Sequence, residues 1–475
     1  MGGGQAGTMG GKAAGDGRAD GLPLPRRYRA IAALSMGTIV TTVDGSIVNV
    51  ALPTLARDLH VEPSAAVLMV TVYQLVMMMA LLPFAALGER IGLRRLYQYG
   101  LIVFLAATIL CFFARSLPFL ILVRAFQSMG AAAVLSVASA LIRIVYPSAQ
   151  LGRGLSLNTV IAATAASFAP SIGGIILGIA PWNWLFAMLA PFALLSIFLG
   201  RSSLPEPMAR AEPYDVLGAV MCAATFGFTV FGLESGLHGD SPVISAAMGA
   251  LGIGLGFVFV RRELGQARPT LPVDLLRNRT IALSTLSLLA VYMASMVAML
   301  ILPFRLQQEY HFSPVEAGAV IAPWPLISMV VAPTSGLLSD RLPAGLLGVI
   351  GMAVGTVALV ALAFIPPEPD YFDLLWRVSL CGIGFGMFYS PTTRQLVGAA
   401  PVDRTAAAGG LTSTTRGAGQ TFGSTGVAAL IASGHGTGPA AFLIGSALAL
   451  TGALCSLSVY GAIVRRERVE DLPDI

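Results

Sequence analysis

The chain has 475 residues, of which 56% are hydrophobic and 11% charged, about half the charge of an ordinary soluble protein. Most of its length therefore cannot face water. The net charge of +5 sits on residues scattered between apolar runs, with no basic stripe or interleaved aromatics, which excludes a nucleic-acid surface.

Residues 1–30 read as a flexible tail. Residues 1–22 hold no apolar stretch of signal-peptide type, so the first span is expected to target the chain. Apolar stretches of the roughly 20 residues needed to cross a bilayer follow at 31–53, 64–87, 97–114, 118–142, 155–179 and 183–201. These form an expected N-terminal six-helix bundle over 31–201. Spans at 215–234 and 241–260 fall within 202–279, read as two inserted helices and a linker. Six more, at 280–304, 315–338, 344–365, 372–393, 406–432 and 440–463, form a C-terminal bundle over 280–463, before a tail at 464–475. The expected fold is an all-α integral membrane protein of fourteen helices. With both termini cytoplasmic, most of the 29 basic residues fall on the inner side, the bias that sets orientation.

A weak internal repeat supports the two bundles. AALGERIGLRR at 85–95 and GLLSDR at 336–341 each close a span, and LLWR around Arg377 echoes ILVR around Arg124. Spans 1–6 then match spans 9–14.

An ionisable group deep in hydrocarbon is a functional candidate by default. In span 1, Asp44 alone among the acids lies deep, about 13 Å from the outer end at 1.5 Å per residue. All four histidines, His60, His238, His311 and His435, fall in expected outer loops, which leaves Asp44 as the candidate proton carrier. A second polar stripe on span 1, Thr38, Thr42, Ser46 and Asn49, lies about 150° round from Asp44. One of these faces is expected to meet span 4 and the other a central cavity. Midway down span 2, Tyr73 and Gln74 are candidate cavity groups, with Met77, Met78 and Met79 as a pliable wall. Arg124 on span 4, with Gln127 and Ser128 on its face, lies about 9 Å deep, near enough in depth to pair with Asp44. Such a pair is either a switch worked by protonation or a static ion pair. Arg416 sits near the middle of span 13 with Ser413 and Gln420 on its face. It is expected to meet an anionic substrate group, a carbonyl or Asp44. At the inner ends, Glu89 with Arg90 and Asp340 with Arg341 are candidate gate residues between the halves.

These residues resemble the major facilitator superfamily, in particular its fourteen-helix drug:proton antiporters, over about residues 31–463. VDGSIVNVALPTL resembles the family's first-helix signature through Asp44, Asn49, Ala51, Leu52 and Pro53. ALGERIGLRR is similar to its loop motif through Leu87, Arg90, Gly92 and Arg94, with Ala85 and Glu89 in place of Gly and Asp, and makes Arg94 part of the cytoplasmic gate. LVRAFQSMGAAA resembles the fourth-helix motif through Arg124, Gln127 and Gly130, and the resemblance implicates this arginine in proton coupling. ASFAPSIGG resembles the antiporter motif through Pro170, Gly173 and Gly174, although Ala165 and Ala169 stand where the family has glycine.

The resemblance implies a proton-coupled exporter of small, lipophilic or drug-like compounds working by alternating access in the cell membrane. An importer or facilitator of a metabolite is the alternative, and a transport-inactive sensor or scaffold a third reading. No enzyme is expected, because no nucleophile stands with a base and no metal-ligand cluster is spelled out. The four cysteines, Cys111, Cys222, Cys381 and Cys455, read as apolar filler. No cofactor is expected beyond the proton as coupling ion. The expected partners are the small-molecule substrate, protons and membrane lipid, with no nucleic acid, and nothing calls for more than a monomer.

Overall fold

The computed structural model describes residues 21–147, 150–205, 215–237, 242–265, 273–339, 341–401, 404–436 and 438–470. Asp340 and His238, with most of the expected N-terminal tail, the last five residues of the expected C-terminal tail and parts of the 202–279 segment, lie outside the described residues.

The described chain is helical: α1 Leu24–Asp58, α2 Pro63–Ile91, α3 Leu93–Phe112, α4 Leu117–Val145, α5 Leu151–Ile179, α6 Trp184–Ala187 and α7 Ala190–Ser203. Then come α8 Val216–Leu237, α9 Pro242–Leu264, α10 Arg279–Gln308, α11 Pro314–Ile321 and α12 Pro323–Leu338. The last four are α13 Ala344–Ala363, α14 Tyr371–Gly398, α15 Thr405–Ala432 and α16 Pro439–Glu470. Proline opens several of them, where its missing N–H leaves no intrahelical bond unmade. The short breaks between α6 and α7 and between α11 and α12 each precede a proline, and the paired pieces continue as single spans. Eleven of these segments are long and apolar enough to cross a membrane. The other long helices, α5, α14 and α15, pack among them. Large apolar side chains such as Phe113, Ile179, Phe198, Val243 and Phe372 lie exposed around the perimeter, as expected where the solvent is lipid.

Two helix sets repeat the same packing. In the first, α3 packs on α4, α4 on α2, α1 on α5 and α7, and α3 on α7. In the second, α13 packs on α14, α14 on α12, α10 on α15 and α16, and α13 on α16. The agreement extends to single residues. Gly100 lies seven residues after Leu93 in α3, and Gly351 seven after Ala344 in α13. Gly130 and Gly384 each lie thirteen residues after the first residue of α4 and α14. A Cβ on Gly100 would meet the Gly130 carbonyl at 2.9 Å, and one on Gly351 would meet the Gly384 carbonyl at 2.9 Å. Only hydrogen fits at either crossing, and the close approach of the two backbones supplies the packing that holds membrane helices together. Pro53 and Pro303 likewise stand five residues before the ends of α1 and α10.

The halves meet through α2 on α15, α5 on α11 and α12, and α1 on α10 and α11. The pair α8 and α9 packs on itself through Gly232, which a Cβ would bring to 2.4 Å from the Gly249 nitrogen, and α8 covers the outside of the α2–α15 seam. Arg262 binds both Asp215 oxygens at 2.7 and 2.8 Å across the base of this hairpin.

Candidate functional site

Asp44 projects from α1 toward α4 and is fully buried, which decides between the two faces left open by the sequence. Arg124 answers it from α4. One guanidinium nitrogen, Nη1, donates to Asp44 Oδ1 and Oδ2 at 2.8 Å each and to Gln127 Oε1 at 2.7 Å. Gln127 Nε2 in turn donates to Asp44 Oδ1 at 3.1 Å and to Thr108 Oγ1 of α3 at 2.8 Å. The cluster thus gathers α1, α3 and α4. The Arg124 guanidinium also lies 4.0 Å from the ring centroid of Tyr73 on α2 and 5.5 Å from that of Phe186 on α6, so aromatic faces cover the charge where water would otherwise solvate it. The Tyr73 hydroxyl lies alongside Asp44 without a hydrogen bond of standard geometry. Ser128 Oγ donates to the Tyr73 carbonyl and fixes α2 against α4.

This arrangement corrects part of the expected cavity. Tyr73 and Gln127 belong to the buried Asp44–Arg124 cluster and do not form an open wall. Thr108 and Phe186 complete the cluster, and no sequence signal marks them, since each is an ordinary residue of an apolar helix. Of the second stripe, Thr38 Oγ1 donates to Asn158 Oδ1 of α5 at 2.8 Å, Thr42 and Ser46 are half-buried, and Asn49 is buried with its Oδ1 unpartnered. Gln74 is buried too, while Gln420 is half-buried. Arg416 does not reach Asp44. It is exposed and has no hydrogen-bond or ion-pair partner among the described residues. Beside it Tyr292 of α10 stacks on Tyr389 of α14 at 4.7 Å, an aromatic pair that sequence reading passed over.

The expected repeat of Arg124 at Arg377 is also corrected. Arg124 stands six residues before its interface glycine, Gly130, and Arg377 seven before Gly384. At 100° per residue, seven residues return almost to the same face, while six turn about 120° away. Arg377 therefore points with Gly384 toward α13, where Nη1 donates to the Ala361 and Phe364 carbonyls and Nη2 to Asp373 Oδ1 at 3.1 Å. Arg305 of α10 is buried at the same place and donates to the Leu362 carbonyl at 2.8 Å. The two arginines satisfy the terminal carbonyls of α13.

Of the residues that resemble the antiporter motif, Pro170 and Gly174 meet the second half and Gly173 meets α1 of its own half. A Cβ on Gly173 would press on Ile47 of α1 at 3.0 Å, and one on Gly174 would meet the Pro314 carbonyl of α11 at 2.7 Å. A Cβ on Gly318 would meet the Pro170 carbonyl at 2.8 Å, so α5 and α11 cross at backbone contact. Near them Gln307 Nε2 donates to the Val50 carbonyl at 3.0 Å. These contacts lie toward the end opposite the chain termini. At the terminal end Glu89, Arg90 and Arg341 are exposed and bridge nothing among the described residues, and Arg94 donates to the Arg201 carbonyl within its own half.

Two similarly packed helix sets, joined by an inserted pair and enclosing a buried Asp–Arg couple, find their match in a known family. The chain matches the sequence profile of the Major Facilitator Superfamily over residues 34–424 and again over 284–471. The chain belongs to the major facilitator superfamily. This major facilitator is 40% identical over 416 residues to the uncharacterized transporter YebQ of Escherichia coli strain K12, covering 87% of this chain and 91% of that one. It is 26% identical to the riboflavin transporter RibZ of Clostridioides difficile, over 83% of this chain and 86% of that one. It is 28% identical to the methyl viologen resistance protein SmvA of Salmonella typhimurium, over 81% and 79%. In fold it matches the crystal structure of a bacterial homolog to the human lysosomal transporter Spinster, in an inward-facing and unoccupied conformation. The TM-score is 0.64 at 14% identity, covering 94% of this chain and 99% of that one. This major facilitator is thus a multi-pass membrane secondary transporter and not an enzyme.

Proposed function

We propose that the chain exports small molecules in exchange for protons, with the Asp44–Arg124 couple as the coupling site. One observation carries the reading: a fully buried carboxylate whose two oxygens share a single guanidinium nitrogen. Protonating Asp44 removes the charge that holds Arg124, and Gln127, bonded to both, is placed to follow. The couple ties α1 to α4 in the first half, so a proton gained or lost changes how that half packs against the second. Contacts between the halves away from the termini, with Glu89, Arg90 and Arg341 exposed at the terminal end, fit an inward-open state if the termini are cytoplasmic, as the arginine distribution favours. Asp340 would complete that gate. The methyl viologen resistance name of SmvA among the relatives favours export. Import of a metabolite is the second reading, favoured by Ala165 and Ala169 in the helix-five motif and by the riboflavin transporter among the relatives.

Everted vesicles energised to an acid interior test the proposal. Adding methyl viologen, riboflavin or naphthoate to the wild type should dissipate part of the pH difference for at least one compound. Asp44→Asn, which keeps an oxygen for Arg124, should abolish the response; a response equal to the wild type would remove Asp44 from the coupling.

A further inference from the structure

Arg416 stands eleven residues after Thr405 in α15, about 16 Å along the helix at 1.5 Å per residue and so well inside the bundle. Its neighbours fix its direction. A Cβ on Gly417 would meet Met78 of α2 at 3.1 Å, and one on Gly419 would meet Tyr292 of α10 at 2.6 Å. At 100° per residue the arc between those two contacts holds Ser413, Arg416 and Gln420. The guanidinium therefore lies on the face turned to the space between the halves, where it is exposed and without a hydrogen-bond or ion-pair partner among the described residues.

Two independent features meet there. The stacked Tyr292–Tyr389 pair, with an interplanar angle of 22°, lies within electrostatic reach of Arg416, and both rings are only half-buried. Trp324 and Phe385, 5.0 Å apart, back the pair. Among the described residues no acid stands in this space to neutralise a cation: Asp44, the deep acid of α1, is fully buried in the other half with both oxygens on Arg124. Among the described residues, the accessible charge at mid-depth is then a single positive fork beside flat aromatic surface.

We infer that the space between the halves at Arg416 binds a planar aromatic anion, with its carboxylate or sulfonate on Arg416 and its ring against the Tyr292–Tyr389 pair. The inference rests on the reading of the chain as a small-molecule transporter with its site between the halves. A guanidinium matches a carboxylate with two parallel N–H donors, and an unpaired charge at this depth is costly enough that a ligand is its natural counter-ion. The rings add face-to-face contact that an aliphatic anion lacks. A lipophilic cation would have to sit beside an uncompensated positive charge.

Naphthoate and naphthylmethylammonium carry the same ring with opposite charge, and their binding to the purified full-length protein in nanodiscs tests the inference. Naphthoate should bind saturably, and the ammonium at least about tenfold more weakly. Arg416→Gln should weaken naphthoate at least about tenfold, and Arg416→Lys should recover most of that loss. Arg416→Gln should unfold no earlier than the wild type, since it removes a partnerless charge. An ammonium that binds as tightly as naphthoate, an Arg416→Gln affinity within twofold of wild type, or no saturable naphthoate binding would each overturn it. Binding is read at one fixed pH with no proton gradient, so a cation-selective result leaves the Asp44 proposal to its own vesicle test.

Discussion

Both carboxylate oxygens of Asp44 lie 2.8 Å from the same nitrogen of Arg124, and neither side chain has meaningful access to solvent. The two members of this couple are not equivalent when one is deleted. A carboxyl can shed its charge by taking up a proton, whereas a guanidinium cannot. Asp44→Leu should therefore destabilise the protein by about 3–5 kcal/mol, the range for stranding one partner of a buried pair. Arg124→Leu should cost less, and the double replacement less than Asp44→Leu alone. Thermal unfolding of the purified variants checks the order; if Arg124→Leu proved the most damaging, the couple would not be governed by the stranded cation.

The crossing of α5 and α11 at Gly174 and Gly318 has no room for a side chain, because a Cβ on Gly318 would approach the Pro170 carbonyl to 2.8 Å. Gly318→Val should push the two helices apart at a cost of about 1–3 kcal/mol to the closed arrangement, typical of overpacking. A bias of that size shifts a two-state population by a factor of about 5–150. Thr54, half-buried beside Gln307, reports on it once replaced by cysteine, and the four native cysteines are buried and give little background. Labelling of Thr54→Cys by a bulky maleimide should accelerate in the Gly318→Val background. Unchanged labelling would mean that this crossing does not hold the halves together.

Arg377 and Arg124 resemble each other in sequence, yet Arg124 faces Asp44 of α1 while Arg377 faces the end of α13. Arg377→Gln breaks charge-assisted bonds to Asp373 and to the carbonyl end of α13 and should lower stability by about 1–3 kcal/mol. Transport per folded molecule, measured in the everted vesicles, should stay at the wild-type value. Loss of proton-coupled transport in a well-folded variant would contradict the assignment of Arg377 to packing alone.

The membrane environment, the helical class and the division into two repeated bundles with an inserted pair were legible in the residues. They follow from apolar run lengths and bounding charges, which are properties of local sequence. The Asp44–Arg124 couple was legible as well, because a charge deep in an apolar helix needs a partner at similar depth, and few were available.

What local sequence could not express is rotation. Whether Asp44 or the Thr38 stripe turns to α4, and whether Arg377 copies Arg124, depend on how each helix is set about its axis by its neighbours. One residue of offset from an interface glycine amounts to 100°. Gly130 and Gly384 fix those rotations through backbone contact in the folded bundle, so only tertiary structure brought Tyr73, Thr108 and Phe186 around Arg124. It also placed Arg416 beside two stacked tyrosines from separate helices. The sequence by itself determined which groups had to be buried in the membrane; the packing of glycine against backbone decided which of them meet.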